Sequence, residues 1–155
     1  MIQIRRATEC DAKLIFNWAN DSSMRKFSIN SKKIEWCSHI NWFNDKINST
    51  SYLLIAENIN GVPVGQIRFD HYENYYLIDF YVSHDFRGKG YGKLLLNNGM
   101  NYVVSEIENI AFKAMVNEKN TPSIKSFLAE GFNLRERELI KEQIFLCYYK
   151  EYKIK

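Results

Sequence analysis

Only three cysteines and three histidines occur in the 155 residues, and neither type is clustered. Cys10, Cys37 and Cys147 are odd in number, widely spaced and without a CxxC pair, which excludes a disulfide framework and a thiolate metal site. They read as buried or idle thiols in a reducing cytoplasm. His39, His71 and His84 show no metal-ligand spacing, so no metal is expected. No apolar run approaches the ~20 residues of a membrane span, and residues 1–6 lack the apolar region of a signal peptide. Neither a membrane nor export is therefore expected. The 21 basic and 18 acidic residues leave a net charge of +3, with no arginine-rich run or aromatic–basic repeat, which argues against nucleic acid as partner. Neither GxxxxGK[ST] nor GxGxxG occurs, so the ordinary nucleotide loops are absent. No Ser-His-Asp or Cys-His arrangement points to a covalent acyl-enzyme.

What is present is a globular composition, 46% hydrophobic and 15% aromatic, at a length that suits one domain over 1–155. Residues 2–6 alternate apolar and polar and predict a strand. Thr8 opens a helix with Asp11 in a near capping-box position, and Ala12, Ile15, Phe16 and Ala19 form its apolar side. After a polar link over 22–31, a second helix is expected over 34–47, with Trp36, Ile40, Phe43 and Ile47 on one side. Strands follow at 52–57, 62–71 and 75–82, the first two joined by a turn at Asn60-Gly61. A helix over 90–106, a strand over 110–116, a helix over 121–130 closed by Gly131, and strands near 134–140 and 144–152 complete the chain. This order predicts an α/β domain around a mixed sheet.

Residues 82–98 carry the chemistry. An apolar strand ends at Val82, and a glycine-rich turn leads into a helix. Such a turn presents unpaired backbone N–H groups and the positive end of a helix dipole to an anion. Gly88, Gly90 and Gly92 leave no Cβ in the way of a pyrophosphate, and Arg87, Lys89 and Lys93 surround it with positive charge.

The pattern Arg-x-x-Gly-x-Gly at Arg87, Gly90 and Gly92 resembles the coenzyme A loop of the GNAT acetyltransferases. Residues 120–132, from Asn120 through Ser123 to Gly131-Phe132, resemble that family's Asn-x-x-[Ala/Ser]…Gly-Phe helix, in the right order. The resemblance covers essentially the whole chain. It implies the GNAT fold: a mostly antiparallel central sheet of six to seven strands flanked by about four helices. It also implies acetyl-CoA as co-substrate. Phe80, Tyr81 and Val82 would pair with the pantetheine arm as another strand. The amides of Gly88, Lys89, Gly90, Tyr91, Gly92 and Lys93 would hold the pyrophosphate, and the Asn120 amide would reach the coenzyme arm, or simply cap its helix. Many members carry a tyrosine seven residues after this asparagine to protonate the departing thiolate; here Phe127 stands there. Ser123 is where relatives that acetylate ribosomal-protein termini carry a serine in that role.

The front half, with Trp18, Arg25, His39, Trp42 and Arg68, resembles the GNATs that acetylate 4-amino sugars on a nucleoside diphosphate, as in pseudaminic acid synthesis. Trp18, Trp42 and Phe43 could stack on a base or sugar, although Phe43 suits the core better, and Arg25 or Arg68 could meet a diphosphate. Direct acetyl transfer needs a base for the ammonium proton. His39 is favoured because its ordinary pKa suits cytoplasmic pH. Asp79 is second, with Glu57, Asp70 and His71 behind. A backbone N–H near Val82 would polarise the thioester carbonyl. The expected function is an acetyl-CoA-dependent N-acetyltransferase acting on a nucleotide-linked amino sugar, as monomer or homodimer. A protein N-terminal acetyltransferase and a non-catalytic coenzyme-binding sensor are the alternatives.

Overall fold

In the computed structural model, residues 1–152 build seven strands and five helices. Residues 153–155, the end of the domain expected over 1–155, lie outside the described residues. β1 (Ile2–Arg6) runs antiparallel to β2 (Tyr52–Asn58), which pairs with β3 (Pro63–His71), which pairs with β4 (Tyr76–Val82). β4 is joined in parallel to β5 (Ile110–Asn117), and β7 (Gln143–Tyr152) lies between β5 and the edge strand β6 (Asn133–Ile140). The sheet is thus mixed, as the element order predicts, and mostly antiparallel, as the family resemblance implies.

The helices lie on both faces. α1 (Ala12–Ala19) follows a 3-10 turn at Glu9–Asp11, where the Thr8 N–H donates to Asp11 Oδ2 at 2.8 Å. The polar link then holds a short helix, α2 (Ser22–Arg25), which the sequence reading did not anticipate. α3 (Trp36–Ile47) starts two residues after its expected beginning. Its buried face also differs: His39 and Phe43 turn inward while Trp36 is 41% exposed. α4 (Tyr91–Val104) and α5 (Thr121–Ala129) complete the set.

Strand alternation separates two apolar layers. Ile67, Phe69, Ile78 and Phe112 join Leu95, Leu96 and Met100 of α4 on one face. Leu53, Ile55 and Tyr81 join Ile15, Trp18 and Phe43 of α1 and α3 on the other. Each fully buried Phe or Ile contributes about 1.5–3 kcal/mol by leaving water, which is what fixes the register of the central strands. Among the described residues no helix is long and apolar enough to cross a membrane.

Candidate active site

The first feature of the site is a parting of strands. β4 and β5 are in register only at Tyr76–Phe112 and Leu77–Lys113. Beyond them β5 stays paired with β7 to its end, while β4 keeps only β3, so the two parallel strands diverge. The β4 edge from Ile78 to Val82 is left facing the opening, with the main-chain donors and acceptors an extended ligand would need.

β4 leads through Ser83 and a 3-10 turn at His84–Phe86 into the glycine loop. Gly88 and Gly90 have φ of +74° and +84°, a region costly for other residues, and Gly90 caps the N-terminus of α4. A Cβ at either would meet nothing within 4 Å, so the loop borders open space. Gly92 serves packing instead: a Cβ there would stand 3.0 Å from Ser126 Oγ and 3.5 Å from the Phe80 ring. Tyr91 sets its ring edge-on to Phe86 at 5.6 Å. Lys89 and Lys93 are exposed, Lys89 donating to the Asp85 carbonyl at 3.2 Å. These residues fit a bound pyrophosphate, since first-turn amides and two exposed cations surround an uncluttered loop.

Arg87 departs from expectation. Its guanidinium turns away from the loop and donates to Asp21 Oδ2 at 2.7 Å, Ser23 Oγ at 2.9 Å and the Val82 carbonyl at 2.9 Å, lying 5.2 Å from the Tyr81 ring. The charge expected beside a pyrophosphate is spent inside the protein, tying the loop to α2. Burial alone would raise the Asp21 carboxyl. The Tyr81 and Ser23 hydroxyls and Arg87 outweigh it and hold Asp21 well below the usual carboxylate range. Burial and the 2.6 Å bond to Asp21 push the Tyr81 phenol well up, so it stays neutral.

A cavity of about 550 Å³ runs from the parted strands to α1 and α3. Phe80, Tyr81, Asn120, Ser123 and Phe127 line the cavity beside the parted strands. Asn120 caps α5, its Oδ1 accepting from the Ser123 N–H at 3.4 Å, so the capping role and a place on the wall coexist. Phe127 is 2% exposed and stacked parallel to Tyr148 at 6.1 Å; a core ring fills the usual tyrosine position.

On the far side stand Trp18, Arg25, His39, Trp42, Arg68 and Asp79, which the fold brings together as one wall. Several have different neighbours from those expected. Trp18 is buried and packs on Tyr81 at 5.5 Å, so it is a wall and not a free stacking platform. His39 is 2% exposed, its Nε2 donating to the Ala12 carbonyl at 2.9 Å among the rings of Phe16, Trp36, Trp42 and Phe43. Burial lowers its pKa against the pull of that carbonyl, keeping the ring neutral. It is a committed core histidine, poorly suited to be the open base expected of it. Trp42 is half-buried between His39 and the Arg68 guanidinium, which lies 5.2 Å from its ring. Arg68 reaches Asp70 at 3.0 Å and Asp79 at 3.6 Å; burial would lower its pKa, but the two carboxylates prevail and raise it. Asp79 remains open at the mouth, its side chain 61% exposed. Arg25 donates Nε to the Lys32 carbonyl at 3.0 Å, and burial lowers its pKa. The other base candidates lie apart from the cavity: Glu57 meets Arg5 at 3.4 Å, and His71 bonds Thr50 and stacks on Tyr76.

Sequence reasoning missed three residues of this region. The sequence reading gives Asp21 no role, because the short helix it caps was not anticipated. Asn117, 2% exposed on the cavity wall, is satisfied by Gln143 and Lys119. Gln66, 5% exposed and lining the cavity, was legible only in the alternation of Gln66, Arg68 and Asp70 with apolar Ile67 and Phe69.

The fold recurs among solved acetyltransferases. The spermidine N-acetyltransferase of Vibrio cholerae, in complex with CoA and spermine, superposes with a TM-score of 0.84 at 14% identity, over 97% of this chain and 95% of that one. A phosphinothricin acetyltransferase of Sinorhizobium meliloti, in complex with AcCoA, gives 0.82 at 16% identity, over 98% and 89%. The ribosomal-protein-alanine N-acetyltransferase of Brucella melitensis gives 0.80 at 20%, over 96% and 98%. No curated protein sequence matches the chain significantly. At such identities these structures speak for the fold alone. The family model described as the acetyltransferase (GNAT) family, however, matches residues 13–132, a span that holds the parted strand, the glycine loop and the Asn120 helix. The chain belongs to the GNAT acetyltransferase family, whose members use acetyl-CoA as co-substrate.

Proposed function

We propose that this GNAT enzyme acetylates the primary amine of a small acceptor that also carries an anionic group. The observation that carries the reading is the parting of β4 from β5 beside the glycine loop, continuous with a cavity whose far wall holds two arginines. Arg68 is answered by Asp70 and Asp79, whereas Arg25 has no carboxylate at ion-pair distance among the described residues. A half-buried guanidinium that feels the Asp79 carboxylate only from beyond ion-pair distance favours an anionic ligand. The nucleotide-linked amino sugar expected from the sequence is one such acceptor, and a compact amino acid with a phosphinate or carboxylate is another. Cytoplasmic action belongs to the same proposal; the exposed free thiols of Cys10 and Cys37 suit a reducing compartment.

In this reading the bound co-substrate supplies an activated acetyl group as a thioester. The β4 main chain from Phe80 to Val82 holds the arm in the opening, and the amides from Gly88 to Lys93 hold the pyrophosphate. A β4 N–H near Val82 polarises the thioester carbonyl. Asp79, open at the cavity mouth, is the base best placed to take the ammonium proton, directly or through water. The neutral ring of His39 packs the wall behind it. Ser123, beside Asn120 on the cavity wall, carries a hydroxyl able to donate to a departing thiolate, a role the Phe127 ring cannot fill.

The test is thiol release from acetyl-CoA with four amines: a UDP-linked 4-amino sugar, phosphinothricin, spermidine and a peptide with an N-terminal alanine. One of the two anionic amines is expected to exceed spermidine at least about tenfold in kcat/KM, since ~1.4 kcal/mol of charge pairing suffices for that ratio. Spermidine as the best acceptor would defeat the anion argument. Tight coenzyme binding without turnover of any amine would favour a sensor.

A further inference from the structure

Gln66 lies on β3 opposite Tyr81 and is 5% exposed. Its Oε1 finds no hydrogen-bond partner among the described residues. Buried polar atoms are almost always paired, and an amide carbonyl left alone costs roughly 1–3 kcal/mol. The fold tolerates this at a residue that lines the cavity.

Strand alternation decides which ligand is within reach. Ile67 and Phe80, its partner in register, face α4; a Cβ on Gly99 of α4 would stand 2.8 Å from Ile67 Cγ2. Gln66 therefore points to the opposite face, together with Arg68, Asp79 and Tyr81. There Arg68 covers Trp42 and Tyr81 packs on Trp18. The glycine loop and the N-terminus of α4 belong to the coenzyme face, and Gln66 belongs to the acceptor wall. On that wall the arginines can only donate, and the Tyr81 hydroxyl is already given to Asp21. The Asp79 carboxylate on the same wall is open to solvent and shared with Arg68, whereas Gln66 Oε1 is a buried acceptor facing the cavity with no donor of its own.

We propose that Gln66 is a specificity-determining ligand of the acceptor, its carboxamide oxygen accepting a hydrogen bond from the amine N–H that is to be acetylated. This rests on the acetyl-transfer reading of the cavity. One N–H is thereby fixed against β3, which turns the nitrogen lone pair toward the β4 edge where the thioester would lie. A buried acceptor of this kind also rejects molecules that bring no donor, because its lone pairs would again stay unpaired.

Two near-isosteric variants test it, each assayed with the four amines named above, with acetyl-CoA affinity from calorimetry and with thermal melting. Gln66→Leu is expected to lower kcat/KM about 10²-fold, chiefly through KM, because a buried hydrogen-bonding group is lost. Acetyl-CoA affinity should stay within about twofold and the melting temperature should hold or rise, since an unpaired buried carbonyl has been removed. Gln66→Glu keeps an accepting oxygen and should recover most of the lost kcat/KM. Unchanged kinetics in Gln66→Leu overturn the inference, as does a fall in melting temperature together with coenzyme affinity, which marks a structural amide. A Glu variant that folds and binds coenzyme yet is as poor as the Leu variant overturns the assignment of the oxygen as the contact. Wild-type protein that binds acetyl-CoA and acetylates none of the amines sinks the acetyl-transfer reading itself, and this inference with it.

Discussion

Replacing Asp21 by Asn tests the junction that ties the glycine loop to the acceptor-side chain. Asp21 Oδ2 accepts from the Tyr81 hydroxyl at 2.6 Å and Arg87 Nη2 at 2.7 Å, and Oδ1 accepts from Ser23 Oγ at 2.7 Å and the Ser23 N–H at 3.0 Å. An asparagine keeps one accepting oxygen, turns an NH₂ toward donors and leaves Arg87 without its counter-charge. The side chains of Asp21 and Arg87 are 19% and 27% exposed, so solvent weakens the pair below the ~3–5 kcal/mol of a fully buried one. It remains above the ~0–1 kcal/mol of a surface pair, and about 2–3 kcal/mol is expected. With an unfolding entropy of ~2.1 cal/mol/K per residue over 155 residues, melting should fall by about 6–9 °C. The pH dependence provides an independent check. The folded pKa of Asp21 is depressed, so its stabilisation is complete above the unfolded carboxylate value of ~3.9 and is lost as pH falls toward the folded value. The gap between wild type and variant in urea denaturation should therefore be constant from pH 5 to 7 and narrow below about pH 4. A gap that persists unchanged in acid, or a melting shift under about 2 °C at pH 7, would refute the reasoning.

Gly90→Val should abolish acetyl-CoA binding in calorimetry, because a β-branched residue at φ +84° distorts the loop amides; the backbone penalty should also appear as roughly 1–3 kcal/mol of lost stability. Unchanged affinity in the folded variant would remove the loop from the coenzyme site. Ser123→Ala should lower kcat with acetyl-CoA affinity nearly unchanged if its hydroxyl meets the thiolate, whereas lost affinity would mean that it only holds the helix end. His39→Ala should lose about 2–4 kcal/mol of stability by emptying an aromatic cluster and freeing the Ala12 carbonyl. A hundredfold loss of kcat without a melting shift would return His39 to the role of base.

The element order was readable because it rests on local physics. Alternation marked β1, apolar runs bounded by turn residues marked β2 to β4, and Gly131 marked the end of α5, each within a residue or so of its place, while Thr8 marked the 3-10 turn that precedes α1. The glycine loop was readable for the same reason, since its backbone φ values and the helix after it are properties of a few consecutive residues. α2 escaped because one turn of helix has no period to detect, and its cap at Asp21 is completed by groups about sixty residues away.

Side-chain direction at the site was decided in three dimensions. Arg87 was readable as positive charge beside a phosphate loop, but the lower-energy partner for its guanidinium was a half-buried carboxylate brought from α2. His39 looked like a base by its ordinary pKa, and packing of α3 on α1 made it a neutral ring held by a carbonyl. Helical spacing placed Trp36 in the core, yet the sheet met the His39–Phe43 stripe instead. By itself the sequence determined the elements other than α2, their order and the glycine loop, because these depend on neighbours along the chain. Only the tertiary structure decided where β4 leaves β5, which charges are spent within the protein, and that the Gln66 oxygen stands unpartnered at the cavity. Those outcomes are set by which distant surfaces compete for the same side chain, and that competition has no local signature.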